Sequence, residues 1–369
     1  YMRSNVTLLW VYFFLIFCSF FSINKLPLNP VYILSSFILI LVFFTMNYKK
    51  TSKFNFLFII YFIFSTISFF LGLYFFNQYS SSVVYLSTIL YIYCIVLGGA
   101  TVEIGGKLSV GQRVFVYDWI YNVLIFYMFL DLIIRLLLSG SSGSFYDFKW
   151  GIFYFDSNFS GLIILLFLMF SIFLKKNQTY DVGKIRFLIL FFLLISTFSR
   201  AAIFTFIVCY ILLRYFKKLI LPFVVLLSII LICFLGFMVK LYMKGESFIN
   251  IDGSFNSKFY LISIAIDNYP TLPVLNKIFG IGMGNFLFYS DGIFAHNMLV
   301  TLIYEFGWFG ILGFLLFLCY SYKLIGKDML FIVMPFTIAG FSLFSAYMPF
   351  FFILLACIYI EKNKSVKGS

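Results

Sequence analysis

The chain has 369 residues, of which 63% are hydrophobic and only 11% are charged, and its formal net charge is +13. So few polar side chains cannot cover a water-soluble globule, which excludes a soluble enzyme and, despite the positive charge, a soluble nucleic-acid-binding protein. Apolar runs of about 17 to 25 residues, each able to cross a bilayer as a helix, recur throughout. We therefore predict an all-α polytopic membrane protein with one integral membrane domain over residues 1–369.

Pro, Gly, Ser and basic residues separate the apolar runs, and this pattern predicts about 12 transmembrane helices. The predicted spans are residues 6–23, 31–47, 54–76, 83–102, 114–138, 159–174, 187–198, 200–213, 219–239, 298–323, 329–346 and 348–360.

Two of these runs, 187–198 and 200–213, are about a dozen residues each, too short to cross alone. Ser199 and Arg200 separate them, and both outer ends are basic. This pattern favours a broken pair of short helices that enter the membrane and return. One long span with Arg200 near the middle of the membrane is the alternative.

Basic residues are distributed unevenly between the two sides of the predicted spans. Eighteen Lys and Arg residues flank one side and six flank the other. By the positive-inside rule, the richer side and both termini are cytoplasmic. Residues 240–295 then form a large outer loop and residues 139–158 a second one, which are periplasmic if the cell has two membranes.

Both outer loops carry features beyond those of a linker. The run from Lys258 to Tyr269 is amphipathic, which predicts a helix on the membrane surface or over a cavity, ended by Pro270 and Pro273. The loop 139–158 is rich in aromatic and acidic residues, which suits either sugar binding or anchoring of helix ends at the interface.

Ionisable residues inside apolar spans are costly and are therefore candidates for function. Asp131 and Arg135 are four residues apart on one helix and predict an internal ion pair. Arg135 also lies one turn from the outer end of its span, where it could bind an anion. Asp118 lies near the cytoplasmic end and is interpreted as structural.

Arg200 is the stronger candidate for anion binding. Its planar guanidinium, at the apex of the broken pair, is suited to a phosphate or pyrophosphate oxygen. The alternative is an arginine satisfied by the carbonyl groups at a helix end.

The stretch 280–313, GIGMGNFLFYSDGIFAHNMLVTLIYEFGWFGILG, contains the chain's only histidine, His296, followed by Asn297. His296 is interpreted as a general base or phosphate contact, or else as a helix cap. Glu305 lies nine residues on and is expected to support a helix or loop. Gly307 and Gly310 are spaced for close helix approach. The GIGMGN segment has no preceding strand, so we do not expect a nucleotide-binding loop.

Three segments resemble motifs of the bacterial O-antigen polymerase and O-antigen ligase superfamily. They are FGIGMGNF with AHNMLVTLIYEFGWFG (279–286 and 295–310), STFSRAAIFTFIVCYILL (196–213) and GIFYFDSNFSG (151–161). The resemblance covers roughly residues 150–313 and implies a membrane C-type, inverting, metal-independent glycosyltransferase without cofactor. Where the family often has an arginine before the amphipathic loop helix, this chain has Lys258.

The resemblance implies an enzyme of lipopolysaccharide biosynthesis in the bacterial inner membrane, with a periplasmic site. As an O-antigen polymerase, it would transfer an undecaprenyl-pyrophosphate-linked oligosaccharide onto the non-reducing end of another lipid-linked repeat unit. Its expected partners are this substrate, the lipid bilayer and a chain-length regulator. The alternatives are a ligase that transfers the glycan to lipid A core, and a transporter or flippase of lipid-linked sugar.

The resemblance and the reading of the residues together give each candidate a role. Arg200 and His296 are the catalytic candidates, with Arg200 on the pyrophosphate and His296 on the acceptor hydroxyl or leaving group. The substrate-binding candidates are Arg135, Lys258, Asn297, Asp156 and Asn158. Glu305, Gly307 and Gly310 are expected to support the site, and no metal ligand is predicted.

Overall fold

The computed structural model describes most of the chain. The described residues are 2–26, 29–45, 52–76, 82–139, 147–154, 156–215, 220–245, 253–295, 297–342 and 349–365. Within them, every regular element is an α-, 3-10 or π-helix and none is a β-strand. The predicted all-α class is confirmed for this part of the chain.

The helices follow the predicted apolar runs closely. The α-helices are α1 (Met2–Phe17), α2 (Pro30–Thr45), α3 (Lys53–Phe75), α4 (Ser82–Lys107), α5 (Val110–Leu138), α6 (Ser157–Lys176), α7 (Lys184–Ser196), α8 (Arg200–Tyr215), α9 (Ile220–Met243), α10 (Gly253–Asn268), α11 (Val274–Phe279), α12 (Met298–Val300), α13 (Gly307–Ile325), α14 (Leu330–Gly340) and α15 (Phe350–Ser365). The predicted amphipathic loop helix corresponds to α10, which ends before the 3-10 turn Tyr269–Thr271.

Five helical segments of the described chain are long and apolar enough to cross a bilayer. They are Lys53–Phe75, Leu86–Lys107, Val110–Leu138, Ser157–Lys176 and the run Met298–Gly340. Large apolar side chains such as Phe44, Phe126 and Leu137 are exposed on helix surfaces, where a membrane protein meets lipid. The chain is a membrane-embedded α-helical protein, while the number of about 12 spans remains a prediction.

Helix α6 is the centre of the bundle. Every side chain from Ser160 to Ser171 is buried, as expected for a helix that is apolar on all sides. Helices α7, α8, α14 and α15 all pack against α6.

Helices α7 and α8 fold back on each other. The Phe206 ring of α8 lies 5.5 Å from that of Phe191 and 6.4 Å from that of Phe187, measured between centroids. Nineteen residues of continuous helix would separate Phe187 from Phe206 by about 28 Å. The two short helices therefore form the broken pair that the sequence predicted, and a single straight helix is excluded.

The run from Met298 to Gly340 also reverses. Phe314 of α13 and Phe336 of α14 both pack on Phe351, with centroid distances of 6.4 and 4.3 Å. A straight helix would place Phe314 and Phe336 about 33 Å apart. The 3-10 turn Gly326–Met329 makes this reversal. The predicted span 298–323 is itself interrupted by a π-helical turn at Thr301–Phe306.

One end of the bundle, here called the basic end, gathers helix termini that carry charge. Arg113 donates to Glu361 with an Nε–Oε1 distance of 2.5 Å, and both side chains are fully buried. Lys176 and Lys362 both contact Asp328, at 2.6 and 2.8 Å. The termini assigned to the basic side from the sequence therefore meet in space.

The opposite end, here called the loop end, contains the other helix termini. The backbone N–H of Asn24 donates to the carbonyl of Phe153, and the Tyr154 hydroxyl donates to the carbonyl of Phe20. The Asn276 side chain donates to the carbonyl of Gly72 at the end of α3. All the predicted site residues that the structure describes lie at this end.

Candidate functional site

The turn between α7 and α8 is fixed against the first turns of α6. The Ser157 hydroxyl donates to the Thr197 carbonyl at 2.8 Å. A Cβ at Gly161 would lie 2.9 Å from Ser199 Cβ and 3.0 Å from Thr197 Oγ1, so only glycine allows this approach. The apex of the broken pair is therefore held by packing on the central helix.

Arg200 is the first residue of α8, and its side chain is exposed. The N-terminus of a 16-residue helix presents free backbone N–H groups and the positive end of the helix dipole, both of which favour an anion. The adjacent Ser199 hydroxyl is buried and has no hydrogen-bond partner among the described residues. At the apex, the Arg200 guanidinium therefore lies beside backbone N–H groups and the Ser199 hydroxyl, all of which can donate hydrogen bonds.

Arg135 of α5 lies next to this turn and is buried. Its Nε donates to Asp131 Oδ2 at 3.1 Å, and its Nη1 donates to the Ser196 carbonyl at 3.3 Å. Its guanidinium also lies 5.2 Å from the centre of the Phe148 ring. The ion pair predicted from the sequence is present within α5, and the hydrogen bond from Arg135 to Ser196 connects α5 to the end of α7. A role for Arg135 in substrate binding remains a prediction.

Asp131 shows a further feature that the sequence did not indicate. Its Oδ2 also accepts a hydrogen bond from Ser160 at 2.9 Å, and its Oδ1 is buried without a partner in the described part of the chain. The partner Ser160 lies on α6, and no local spacing rule links it to Asp131. The two helices meet through a polar contact in an apolar interior.

Asp156 and Asn158 act together at the start of α6. Asp156 is the N-cap and accepts from the backbone N–H of Asn158 at 2.9 Å. The Asn158 amide donates to the second carboxylate oxygen of Asp156 at 2.7 Å. These contacts account for the shape of the helix start, and binding of substrate by either residue remains a prediction.

The loop 280–295 is attached to α3 and α13 by a set of residues that we call the glycine lock: Ser68, Gly72, Gly280, Gly307 and Gly310. A Cβ at Gly280 would lie 2.2 Å from the Glu305 carbonyl oxygen, and one at Gly307 would lie 2.1 Å from the Gly280 nitrogen. Both glycines have positive φ, at 79° and 63°. The Ser68 hydroxyl is within 3.1 Å of the Phe279 carbonyl and 2.8 Å of the Phe306 carbonyl.

Glu305 lies in the π-helical turn beside the glycine lock and is 3% exposed. Its carboxylate accepts hydrogen bonds from the backbone N–H groups of Gly284 and Phe286. This geometry fits the supporting role that the sequence suggested, since the carboxylate orders the glycine-rich turn. Gly310 allows the close approach of α13 to Ser68 of α3, and Gly307 allows the close approach of α13 to Gly280 at the end of α11.

Lys258 and Asn297 both reach the C-terminal end of α14. Lys258 Nζ lies 2.5 Å from Ser342 Oγ, and the Asn297 amide donates to the Phe341 carbonyl at 2.7 Å. The Asn297 side chain also caps α12 by accepting from the backbone N–H of Leu299. His296 lies outside the described residues, so its predicted role is unchanged. Helix α14 in turn packs on α8, whose first residue is Arg200.

The structure thus brings those predicted residues that it describes to one end of the bundle in two groups. One group surrounds the α7–α8 turn, and the other surrounds the loop 280–297. Sequence reasoning did not identify Ser68, Gly72 and Asn276, although small residues at positions 65, 68 and 72 of α3 signalled a helix face for close packing. Among the described residues, no group of three or more His, Cys, Asp or Glu is arranged to hold a metal ion.

Comparison of the chain with protein-family models, with curated proteins and with solved structures gives no match. The resemblance to the O-antigen polymerase and ligase superfamily therefore rests on the motifs alone.

Proposed function

We propose that this protein is a glycosyltransferase of the O-antigen polymerase type, which joins lipid-linked glycan repeat units. In this proposal, the donor is an oligosaccharide on undecaprenyl pyrophosphate, the acceptor is a second lipid-linked unit, and the loop end faces the periplasm of a bacterial inner membrane.

The observation that carries the proposal is the position of Arg200. It is exposed at the N-terminus of α8, next to the buried hydroxyl of Ser199, and α8 packs on α14, at whose C-terminal end Phe341 accepts a hydrogen bond from Asn297. A bidentate cation at a helix N-terminus suits a diphosphate leaving group. In a membrane-embedded protein, a diphosphate substrate with a lipid tail can reach such a site from the bilayer.

The proposed chemistry assigns two tasks to the chain. Arg200 stabilises the charge that develops on the departing pyrophosphate as the glycosidic bond to it breaks. His296 accepts the proton of the acceptor hydroxyl, or assists the leaving group, as the new glycosidic bond forms. Lys258, Arg135, Asn297, Asp156 and Asn158 are the proposed contacts to the glycan and diphosphate, and no metal or cofactor is part of the proposal.

The ligase that transfers the same donor to lipid A core uses the same leaving group and is the nearest alternative. The exposed Trp150 in the loop 139–158 supports a glycan acceptor, because a sugar face can pack on an indole. Other aromatic residues of this loop contact the rest of the protein, as interface anchors would. They are Phe148, Phe153 and Tyr154.

The test is an incubation of the purified protein with lipid-linked repeat units, with and without lipid A core. A ladder of lengthened lipid-linked glycans supports the polymerase, and a glycan–core product supports the ligase. Movement of intact donor between leaflets of vesicles without any new glycosidic bond would support a transporter. In the same assay, His296→Ala is expected to leave single repeats, and a normal ladder from that variant would refute its role.

A further inference from the structure

A cavity of about 580 Å³ lies at the basic end, far from the proposed glycan site. It is bounded by the end of α6, the start of α7, the end of α8 and the start of α14. Its walls are mainly apolar and include Met169, Ile172, Phe187, Leu188, Leu213 and Phe331. Neither the glycine lock nor the residues of the α7–α8 turn contribute to this cavity.

Basic residues form the rim of the same cavity. Lys175, Lys176, Lys184 and Arg214 line it, against the single acid Asp181. The imbalance predicts a positive potential at the mouth, which attracts an anion.

Lys176 is held by Asp328 at 2.6 Å, whereas two other cations on the rim have exposed partners. Lys175 pairs with Asp181 at 2.7 Å, but both side chains are more than half exposed. Arg214 donates to the Tyr210 hydroxyl and lies over two tyrosine rings. Exposed pairs of this kind contribute little in water, so these side chains can turn toward a phosphate at low cost.

We propose that this cavity binds an anionic phospholipid, with the phosphate at the basic rim and the first part of the acyl chains between the apolar walls. The volume falls within the range of roughly 300–1,000 Å³ for small-molecule sites, which accommodates a headgroup and the beginning of two chains. The remaining chain length can follow the outer face of α7, where Ile185, Leu188 and Phe192 are exposed.

The apolar walls distinguish a lipid from a free phosphate or a soluble nucleotide. A soluble anion would use the rim alone and leave the hydrophobic interior unfilled, whereas a lipid satisfies both. Basic pockets between membrane helices are suited to such headgroups. The site is independent of the proposed glycan transfer.

The test measures lipid binding to the full-length protein in detergent by native mass spectrometry. The probes are dioleoyl phosphatidylglycerol, dioleoyl phosphatidylcholine and inorganic phosphate. We expect phosphatidylglycerol to bind about tenfold more tightly than phosphatidylcholine, because only the former has a net negative charge. Excess phosphate should not displace it, because phosphate cannot fill the apolar walls.

Two double variants each remove two positive charges, one from the rim of the cavity and the other from outside it. Lys184→Gln with Arg214→Gln should weaken phosphatidylglycerol binding about tenfold. The matched control, Lys323→Gln with Lys327→Gln, removes two cations from the same end but outside the cavity, and should leave binding unchanged. A third variant, Leu213→Trp, should weaken both lipids by filling the interior.

Several results would overturn the proposal. They are equal binding of the two lipids by the unmodified protein, equal loss in the rim and control variants, and displacement of lipid by phosphate alone. The comparison of lipids needs no variant, so it decides the question even where a substitution impairs folding.

Discussion

At the basic end, ion pairs join helices that are distant in the sequence, such as Arg113 with Glu361 and Lys176 with Asp328. At the loop end, helices and loops contact each other mainly through glycines, hydroxyl groups and amides, as in the glycine lock and the Ser157–Thr197 contact. These ion pairs at the basic end join distant helices, whereas the Asp131–Arg135 pair at the loop end lies within one helix, and Arg200 is exposed at a helix N-terminus there. The two ends are therefore held together in different ways, one mainly by charge and the other mainly by close packing of small groups.

The largest effect is expected at the glycine lock. Gly307→Ala would place a Cβ 2.1 Å from a backbone nitrogen at a positive φ, where neither the backbone nor its neighbour can yield. We expect a loss of about 4 kcal/mol or more of stability, seen as a failure to recover monodisperse protein in mild detergent.

Gly106→Ala is the control for this prediction. Nothing lies within 4 Å of the Cβ that it would add, so it should leave stability equal or up to about 1 kcal/mol higher through helix propensity. Recovery of normally folded Gly307→Ala protein would show that the loop is not locked in this way.

The second largest loss of stability is expected at the basic end. Glu361→Gln leaves Arg113 charged and buried without its counter-ion, which should cost about 3–5 kcal/mol. Thermal unfolding in detergent measures it. Replacing both residues with Met should recover part of the loss, and a double variant as unstable as the single one would show that the ion pair is not the cause.

A smaller loss of stability, together with a loss of glycan transfer, is expected at the α7–α8 turn. Gly161→Ala should displace Ser199 and Thr197, at a cost of about 1–3 kcal/mol. Glycan transfer per folded molecule should fall as well, because Arg200 follows Ser199. Gly99→Ala, whose Cβ would have an ordinary contact of 3.6 Å, is the control. Equal activity in the two variants would separate the turn from the reaction.

The smallest effect is expected at an exposed pair on the basic end. Lys175 and the backbone N–H of Gly183 hold the pKa of Asp181 below its usual value. The stabilisation is therefore present above the unfolded pKa of an aspartate and is lost as the pH falls through the lower folded value. Because both side chains are exposed, Asp181→Asn should change stability at pH 7 by less than about 0.5 kcal/mol. A larger change in the unfolding temperature would contradict this.

The sequence predicted the helices, the broken pair and the Asp131–Arg135 pair, because each depends on local hydrophobicity, charge or spacing. It did not predict that Arg113, counted among the flanking cations, is buried against Glu361, since that pairing spans 248 residues. The π-helical turn that contains Glu305 was also missed, because the apolar pattern continues through it. The contacts of Gly280 with Glu305 and Gly307 depend on the tertiary position of the loop.

The proposed function requires that the loop end transfers a glycan from a pyrophosphate carrier held by Arg200. The most direct measurement is the elongation rate of lipid-linked repeat units by purified Arg200→Lys, with Arg214→Lys as the control at the basic end. We expect Arg200→Lys to unfold at the normal temperature but to elongate the glycan about 10²-fold or more slowly, because lysine lacks the bidentate geometry. Arg214→Lys should match the unmodified protein. Full activity of Arg200→Lys would contradict the role proposed for Arg200.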